Sequence, residues 1–335
     1  MNESSLPYAV LGAGSWGTAL ALQLARAGHA TLLWSHLESH YQTLREQRRN
    51  EQYLPGIAFP DKLQPTHDLG DTIGRVRDIL VVVPSHVFRE TVQKIKPFLG
   101  EHHRLAWGTK GMEQGSSKLL HQIVREELGI TLPIAAVSGP TFAMEVAQGH
   151  PGAITVASKN TEFANELANA LQSEYFLTYT SEDIIGVEIG GAVKNVMAIA
   201  AGIADGMGFG TNTRAALITR GLNEIMRLGV AMGGQRETFM GLSGMGDLIL
   251  TCSDDQSRNR RFGLALGKGM DVETAHNSIS QVVEGIGTAK SVYMLSQEYQ
   301  VNMPITEQVY KVIYEGQSPR TAVQILMNRS PHPEH

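Results

Sequence analysis

Cysteine is almost absent from this chain, because Cys252 is the only one among 335 residues. A lone cysteine excludes a disulfide within the chain and is compatible with a reducing compartment, so we expect a cytoplasmic protein. No set of His, Cys, Asp and Glu residues has the spacing of metal ligands. We therefore expect no metal site.

Positive charge and long apolar runs are scarce as well. The formal net charge of −5 provides no electrostatic case for nucleic-acid binding. No run of about 18 apolar residues predicts a membrane span, and the short polar segment at residues 1–7 lacks the apolar region of a signal peptide. The length predicts two domains, and no Pro/Ser-rich linker marks the boundary.

Glycine, by contrast, is abundant, and three glycines form a pattern near the start of the chain. The segment GAGSWG at residues 12–17 has the pattern G-x-G-x-x-G. It follows a predicted buried strand at residues 8–11 and precedes an Ala/Leu-rich helix at 18–27 and a second strand at 30–34. This strand–helix–strand arrangement predicts a dinucleotide-binding turn, although the pattern alone is also compatible with a structural turn.

Each glycine of the pattern has a physical role. Gly12 would permit the tight turn, Gly14 would let the backbone approach a pyrophosphate, and Gly17 would let the helix pack against the strand. The N-terminus of the helix would then offer N–H groups and a partial positive charge to the phosphates.

The residues after the second strand bear on the choice of dinucleotide. An NAD-specific site usually has an acidic residue here for the ribose 2′-hydroxyl, but this chain has Ser35 and His36. Arg45, Arg48 and Arg49 follow on the next predicted helical segment and could supply positive charge, or could form a solvated helix face. We therefore favour NADP(H), or use of both cofactors, over strict use of NAD(H).

Strands continue to alternate with helices up to about residue 181. Strands are predicted at residues 79–83, 105–107, 134–138, 153–157 and 176–179, and helices at 87–98, 116–128 and 162–171. This alternation predicts an α/β, Rossmann-like domain with a doubly wound, mostly parallel sheet. Ligands bind at the carboxyl ends of the strands in such sheets. Lys110 and Thr141 follow two of these ends and are candidates for the substrate and nicotinamide site, although either alone would be interpreted as a surface lysine or a helix N-cap.

The second half of the chain has helical spacing. Helices are predicted at residues 191–202, 214–232, 281–299 and 305–314. We place the boundary near Ser181, so that residues 1–181 form the dinucleotide-binding domain and 182–329 an all-α domain. Residues 330–335 are expected to be a disordered tail.

One lysine interrupts the small and apolar segment at residues 190–202. Lys194 lies between Val193 and Asn195, with Val196 and Met197 beyond. A lysine is rarely buried without a partner or a purpose, and desolvation lowers the pKa of an ammonium towards the range of a working acid or base. The alternative is a side chain whose stem packs on the helix while its head reaches water.

Two polar features follow in the helical half. Asp247 lies in a predicted glycine-rich turn at residues 244–248. Residues 257–261, SRNRR, combine three arginines with Ser and Asn, a set that suits phosphate oxygens. A solvated charge run is the alternative for this cluster. Glu284 could touch a cofactor or cap a helix.

The motifs, taken in order, resemble those of bacterial NAD(P)-dependent sn-glycerol-3-phosphate dehydrogenases of the soluble, biosynthetic type. The resemblance covers about residues 7–328. The motifs that carry it are GAGSWGTALA, VVVPSH, TKG, SGPTFA, GGAVKNV, GLSGMGDL and SRNRRFG. Many dehydrogenases share the first motif, whereas SGPTFA, GGAVKN and SRNRRFG in this order are far more specific.

The resemblance implies roles for individual residues. Lys194 would be the general acid/base, Asp247 would bind the glycerol end of the substrate, and Lys110 would contact both substrate and cofactor. The other substrate-binding residues would be Gly139, Thr141, Ser257, Arg258 and Asn259. The cofactor-binding residues would be Gly12, Gly14, Ser15, Trp16, Gly17, His36, Tyr53, Lys110, Ala143, Arg258, Val282 and Glu284.

The implied reaction is the reduction of dihydroxyacetone phosphate to sn-glycerol 3-phosphate by NAD(P)H, supplying glycerophospholipid biosynthesis, and we expect a homodimer. Two rival functions remain open. Other two-domain dehydrogenases, such as those for 3-hydroxy acids or 6-phosphogluconate, act on carboxylates, whereas residues 257–261 suit a phosphate. A catalytically silent NADP(H) sensor would keep the glycines but would not need Lys194.

Overall fold

The structure, a computed structural model, describes residues 6–129 and 132–328. By its internal contacts the chain divides into two compact units. The first consists of Met1–Glu113 and Lys118–Glu188, and the second of Gln114–Ser117 and Ile189–His335. The tail expected at residues 330–335 lies outside the described residues.

The first unit is built on a large sheet. Its strands are β1 (Tyr8–Leu11), β2 (Thr31–Trp34), β3 (Arg49–Asn50), β4 (Leu54–Ala58), β5 (Leu63–Thr66), β6 (Asp78–Val81), β7 (Arg104–Trp107), β8 (Ile134–Ser138), β9 (Gly152–Ala157) and β10 (Phe176–Ser181). Eight of them form one sheet in the order β10-β9-β8-β7-β6-β1-β2-β5, and β3 and β4 form a separate antiparallel pair. Within the large sheet only β8 and β9 are antiparallel, which confirms the predicted mostly parallel arrangement.

Helices cover both faces of this sheet. They are α1 (Ser15–Arg26), α2 (Glu38–Gln47), α3 (Leu69–Gly74), α4 (Phe88–Ile95), α5 (Leu120–Leu128), α6 (Ala143–Gln148) and α7 (Thr161–Leu171). Successive strand residues point to opposite faces, so Val10 of β1 joins one core while Ala9 and Leu11 join the other. Helices α1, α6 and α7 contribute to the first core, and α3, α4 and α5 to the second. The sheet is therefore doubly wound, as predicted.

Two details of the first unit differ from the prediction. Arg48 and Arg49 do not lie on a helix, because α2 ends at Gln47 and Arg48 adopts a left-handed conformation at φ 51°. The helix predicted at residues 116–128 begins only at Leu120, since Ser117 has φ 57° and a left-handed residue interrupts a helix.

The second unit is helical, which confirms the predicted class. Its helices are α8 (Ile184–Gly206), whose first residues belong to the first unit, α9 (Thr211–Ala231), α10 (Arg236–Met240), α11 (Asp247–Ser253), α12 (Arg258–Gly267), α13 (Val272–Asn277), α14 (Glu284–Glu298), α15 (Pro304–Tyr314) and α16 (Pro319–Met327). No strand occurs in the part of this unit that the structure describes.

Helix α8 is longer and more apolar than predicted. It begins at Ile184 rather than 191, because the Asp183 carboxylate accepts a hydrogen bond from the Gly186 N–H and caps the first turn. Among the described residues it is the one helix long and apolar enough to cross a membrane, with a mean hydropathy of 1.5 over 18 residues. However, 94% of that window is buried inside the protein, which is the environment of a core helix.

Glycines bring the backbones of α8 and α12 into direct contact. A Cβ atom at Gly202 would lie 2.1 Å from the Arg260 carbonyl oxygen, and one at Gly206 2.4 Å from the Leu264 carbonyl oxygen. Reciprocally, a Cβ at Gly263 would lie 2.1 Å from the carbonyl oxygen of Ile199. Such approaches exclude any side chain, so these glycines fix how closely the two helices pack.

This contact predicts whether a substitution at Gly202 stabilises or destabilises the protein. Gly202→Ala should lower the midpoint of urea unfolding, because overpacking costs about 1–3 kcal/mol and exceeds the helix-propensity gain of about 1 kcal/mol. Gly74→Ala is the control, since a Cβ at this α3 residue would meet no atom within 4 Å. That variant should be as stable as the parent or more so. An equal gain in both variants would contradict the packing argument.

Candidate active site

The glycine turn in the first unit has the geometry of a phosphate-binding turn. Gly12 has φ 121°, and a Cβ there would lie 2.2 Å from the Val82 carbonyl oxygen. A Cβ at Gly17 would lie 1.9 Å from the Gly12 carbonyl oxygen, whereas one at Gly14 would meet nothing within 4 Å. Gly14 is also the N-cap of α1 and has no side chain to cap the helix. The open space in front of the helix N-terminus fits a dinucleotide pyrophosphate.

The first turn of α1 is tied to its surroundings by two candidate residues. The Ser15 hydroxyl donates to the Tyr53 carbonyl oxygen at 2.7 Å, and the Trp16 indole N–H donates to the Gly108 carbonyl oxygen at 3.1 Å. The structure thus brings Ser15, Trp16 and Tyr53 together at the start of the helix.

Asn50 holds the same turn in place but was missed in the sequence. Its buried amide donates to the Ala13 carbonyl oxygen at 2.9 Å and to the Thr18 hydroxyl at 2.8 Å. Its own oxygen lies 3.2 Å from Nε2 of His40. The sequence contains no signal for this role, because the two groups to which its amide donates lie more than 30 positions away along the chain.

His36 is exposed and lies two positions after the end of β2. An NAD-specific site usually has an acidic residue in this region. Partial burial, together with Lys94, His40 and His67, lowers the pKa of His36. The side chain is therefore neutral at neutral pH. Lys94, the permanent cation among these neighbours, forms an ion pair with Glu90 at 2.6 Å.

Two of the three arginines proposed for this region are engaged elsewhere. The Arg48 guanidinium donates to the carbonyl oxygens of Leu63 and Pro60, each at 2.9 Å. Arg49 forms an ion pair with Glu51 at 3.2 Å. Arg45 lies on the exposed side of α2. The expectation that all three follow on one helix was wrong, because α2 ends before Arg48.

The residues after β7 and β8 converge. The Lys110 ammonium donates to the Gly139 carbonyl oxygen at 2.9 Å and lies 5.8 Å from the centre of the Trp16 ring. The Thr141 hydroxyl donates to the same carbonyl at 3.2 Å. Because Lys110 is half-buried and Thr141 does not cap α6, the alternatives of a surface lysine and a helix N-cap do not hold. Ala143 is the first residue of α6.

In the second unit, Lys194 is buried and paired. Its side-chain ammonium contacts Oδ1 of Asp247, and the two residues are only 6% and 1% exposed. The lysine head does not reach water, so the alternative of a snorkelling side chain is excluded. The two charges come from different helices, α8 and α11.

The sequence predicts Asp247 in a glycine-rich turn, but the structure places it at the start of a helix. The residues before it, Leu242–Gly246, form a π-helical turn, and Asp247 begins α11. A Cβ at Gly244 would lie 2.1 Å from the Phe239 carbonyl oxygen. The glycine therefore allows a wide helical turn to pack tightly, and this turn delivers the carboxylate to the lysine. π-Helical turns of this kind often occur at functional sites.

The segment at residues 257–261 is mostly buried, so it is not a solvated charge run. Ser257 caps α12 by accepting from the Arg260 N–H at 3.2 Å. Burial lowers the pKa of Arg258, while the nearby Glu284 carboxylate favours its charged form. Within residues 6–129 and 132–328, the Arg258 guanidinium has no hydrogen bond or ion pair with another side chain. A half-buried arginine of this kind is suited to an anionic ligand.

Asn195, which the sequence analysis did not single out, connects the lysine to the arginine cluster through the predicted residue Asn259. Asn259 donates to the Asn195 side-chain oxygen at 2.9 Å and accepts from the Gly285 N–H at 2.8 Å. Because Asn195 follows Lys194 and Asn259 follows Arg258, this chain of bonds places the two cationic residues on neighbouring helical turns. Glu284 lies in the first turn of α14, and Val282 is exposed just before it.

Burial also settles the state of the single cysteine. Desolvation raises the pKa of Cys252 to about 12, so the thiol stays protonated. Over the described ranges, no group of three or more His, Cys, Asp and Glu side chains is arranged to hold a metal ion.

Comparisons with known proteins give a consistent family. Residues 7–164 match the model of the NAD-dependent glycerol-3-phosphate dehydrogenase N-terminus, and residues 183–324 match that of the C-terminus. The chain is 52% identical over 324 residues to glycerol-3-phosphate dehydrogenase (NAD(P)+) of Pasteurella multocida, with 96% of each chain covered. It is also 52% identical to the enzyme of that name from Pseudoalteromonas translucida, with 100% of each chain covered.

A solved structure agrees with these sequence matches. The crystal structure of glycerol-3-phosphate dehydrogenase from Coxiella burnetii superimposes with a TM-score of 0.94 at 48% identity. The match covers 97% of this chain and 99% of the other.

The contrast between the glycines of the turn predicts how two substitutions differ. Gly14→Val should leave the melting temperature nearly unchanged but weaken dinucleotide binding at least tenfold, because the side chain would fill the open space before the helix. Gly17→Val should lower the melting temperature, because its Cβ collides with the Gly12 carbonyl. Calorimetric titration with NADPH and thermal melting would measure both effects. Unimpaired NADPH binding by the folded Gly14→Val protein would rule out this turn as the pyrophosphate site.

Proposed function

This chain belongs to the NAD(P)-dependent glycerol-3-phosphate dehydrogenase family, and on that premise we propose that it reduces dihydroxyacetone phosphate with Lys194 as the general acid. It is an oxidoreductase that uses NAD or NADP. The observation that carries the proposal is the buried Lys194–Asp247 pair, linked through Asn195 and Asn259 to an arginine whose side chain is available to an anion.

When bound, the reduced nicotinamide supplies the hydride. In the first unit, Gly12 would shape the turn, because its own N–H donates to the Trp34 carbonyl oxygen at 3.1 Å. The N–H groups of Gly14 and of the first turn of α1 would hold the pyrophosphate. Lys110 would orient the reacting groups, since its ammonium is already aimed by the Gly139 carbonyl oxygen.

Lys194 supplies the proton that the product hydroxyl needs. The ketone oxygen gains negative charge as the hydride is added to its carbon, and the ammonium stabilises that charge and then donates a proton. Asp247 contacts this ammonium and would hold it in a fixed position towards the ketone oxygen. Asp247 would also accept a hydrogen bond from a glycerol hydroxyl.

Arg258 holds the other end of the substrate. Its guanidinium can donate two parallel hydrogen bonds to phosphate oxygens, and the Asn259 amide and Ser257 hydroxyl lie in the same turn. A phosphate would compensate the buried positive charge of Arg258. This requirement favours a phosphorylated ketone over an unphosphorylated one.

Preference for NADP(H) over NAD(H) is a further part of the proposal. It is supported by the absence of an acidic residue at positions 35 and 36. A homodimer in the cytoplasm that supplies glycerol phosphate for phospholipid synthesis follows from the family resemblance alone.

The direct test is an assay with dihydroxyacetone phosphate and either NADPH or NADH, followed by the near-ultraviolet absorbance of the reduced nicotinamide. We expect oxidation that depends on the phosphorylated ketone and is faster with NADPH. If protein that binds NADPH oxidises neither cofactor with this ketone, the proposed reaction is wrong. Activity on a 3-hydroxy acid instead would favour the carboxylate dehydrogenases.

Replacing the proposed acid should separate catalysis from binding. Lys194→Met should lower kcat by about 10²–10⁴, the range typical of general acid–base catalysis, while the affinity for NADPH persists. Stability should also fall, because the change leaves a buried carboxylate without its partner. The control is Lys268→Met, which removes an exposed lysine of the same unit. A kcat within threefold of the parent in folded Lys194→Met protein would refute the assignment.

A further inference from the structure

Arg260 is the most heavily bonded arginine of the segment at residues 257–261. Its Nε donates to the Cys252 carbonyl oxygen at 3.1 Å, and one terminal nitrogen donates to Asp205 at 2.6 Å. The other terminal nitrogen contacts Asp255. The side chain is 7% exposed. All three corners of the guanidinium therefore have fixed acceptors.

These acceptors lie on the elements that carry the proposed catalytic residues. Asp205 is near the end of α8, the helix of Lys194, and Cys252 is near the end of α11, the helix that begins at Asp247. Arg260 itself lies on α12, two residues after Arg258. A single guanidinium thus connects the three helices that supply the acid, its carboxylate partner and the phosphate-binding arginine.

The backbone of Arg260 is held as firmly as its side chain. Its N–H donates to the Ser257 hydroxyl. Its carbonyl oxygen lies 2.1 Å from the position that a Cβ of Gly202 would take. The side chain contacts Asp205 and the backbone contacts Gly202, both on α8, so the first turn of α12 is fixed against α8 in two places. Arg258, whose guanidinium has no side-chain hydrogen bond within the described residues, belongs to this same turn.

Charge compensation distinguishes Arg260 from its neighbour. Asp205 also pairs with Arg214 at 3.1 Å, so two aspartates and two arginines form one balanced network. Because its charge is compensated and each of its three nitrogens already contacts an acceptor, Arg260 is less suited than Arg258 to bind a phosphate. The positive charge left for an anion is that of Arg258.

We propose that Arg260 is a positioning residue, which orients Arg258 towards the substrate phosphate by tying α12 to α8 and α11. This inference rests on the proposed function and adds to it the source of phosphate specificity. A lysine cannot replace this arginine, because an ammonium is a point charge on a flexible stem and cannot donate in a fixed fork to three separated acceptors.

The test compares a phosphorylated with an unphosphorylated ketone. Arg260→Gln should lower kcat/KM for dihydroxyacetone phosphate by about ten- to hundredfold, the effect expected when a hydrogen bond to a charged group is lost. The loss should appear mainly in KM, and kcat/KM for dihydroxyacetone should change less than threefold. Simple destabilisation would lower both values equally. An unchanged ratio between the two ketones would therefore overturn the proposal.

Arg261→Gln is the matched control. It removes the same charge from the next position of the same helix, where the side chain is exposed, and it should leave the ratio within twofold of the parent. A loss of phosphate preference as large as that of Arg260→Gln would show that general charge rather than positioning is responsible, which would also overturn the proposal.

If Arg260→Gln does not fold, Arg260→Lys provides the test of the positioning role. It keeps the charge and most of the buried stem, so we expect a folded protein whose phosphate preference is still reduced at least fivefold. Full preference in this variant would overturn the role of the forked contact. The parent protein separates the two hypotheses. If the parent does not oxidise NADPH with dihydroxyacetone phosphate, the proposed function is wrong. If the parent is active and both Arg260 variants keep its ratio of kcat/KM between the two ketones, only the role of Arg260 is wrong.

Discussion

The buried contact between Lys194 and Asp247 is the constraint on which the second unit depends. Moving each charge out of water costs several kcal/mol, and the mutual attraction offsets that cost only when the geometry is accurate. The two residues lie on different helices, so α8 and α11 cannot shift relative to each other without exposing or separating the charges. An accurate helix arrangement is therefore a condition for stability as well as for chemistry.

The chain meets this condition by removing side chains where the helices touch. Gly202 and Gly263 let α8 and α12 approach to backbone contact, and packed backbone is less deformable than flexible side chains. At this short distance, Asn195 and Asn259 can bond across the helices, and Arg260 can reach Asp205. The glycines and the polar network thus depend on one another. Neither would hold the helices in register alone.

The sequence predicts those parts of the molecule that depend on local pattern. Three features could be predicted because each is determined by residues close together in the chain. They are the glycine turn, the alternation of strands and helices, and the lysine within an apolar helix. Predictions failed where distant partners decide. The sequence predicts Arg48 on a helix near the cofactor, but the residue follows the end of α2 and its guanidinium donates to the Pro60 carbonyl oxygen. Asn50 carried no signal, and the partner of Lys194 lies 53 positions away.

The segment at residues 257–261 shows why charge in a sequence does not identify a binding residue. Its three arginines are equivalent by composition, yet each has a different environment. Arg261 is exposed and hydrated, and Arg260 is neutralised by aspartates from other parts of the chain. Only Arg258 is half-buried with its donors left for a ligand, so binding of an anion would offset the desolvation of its charge. Affinity for phosphate therefore depends on which charge the fold leaves uncompensated, and that is a property of tertiary structure.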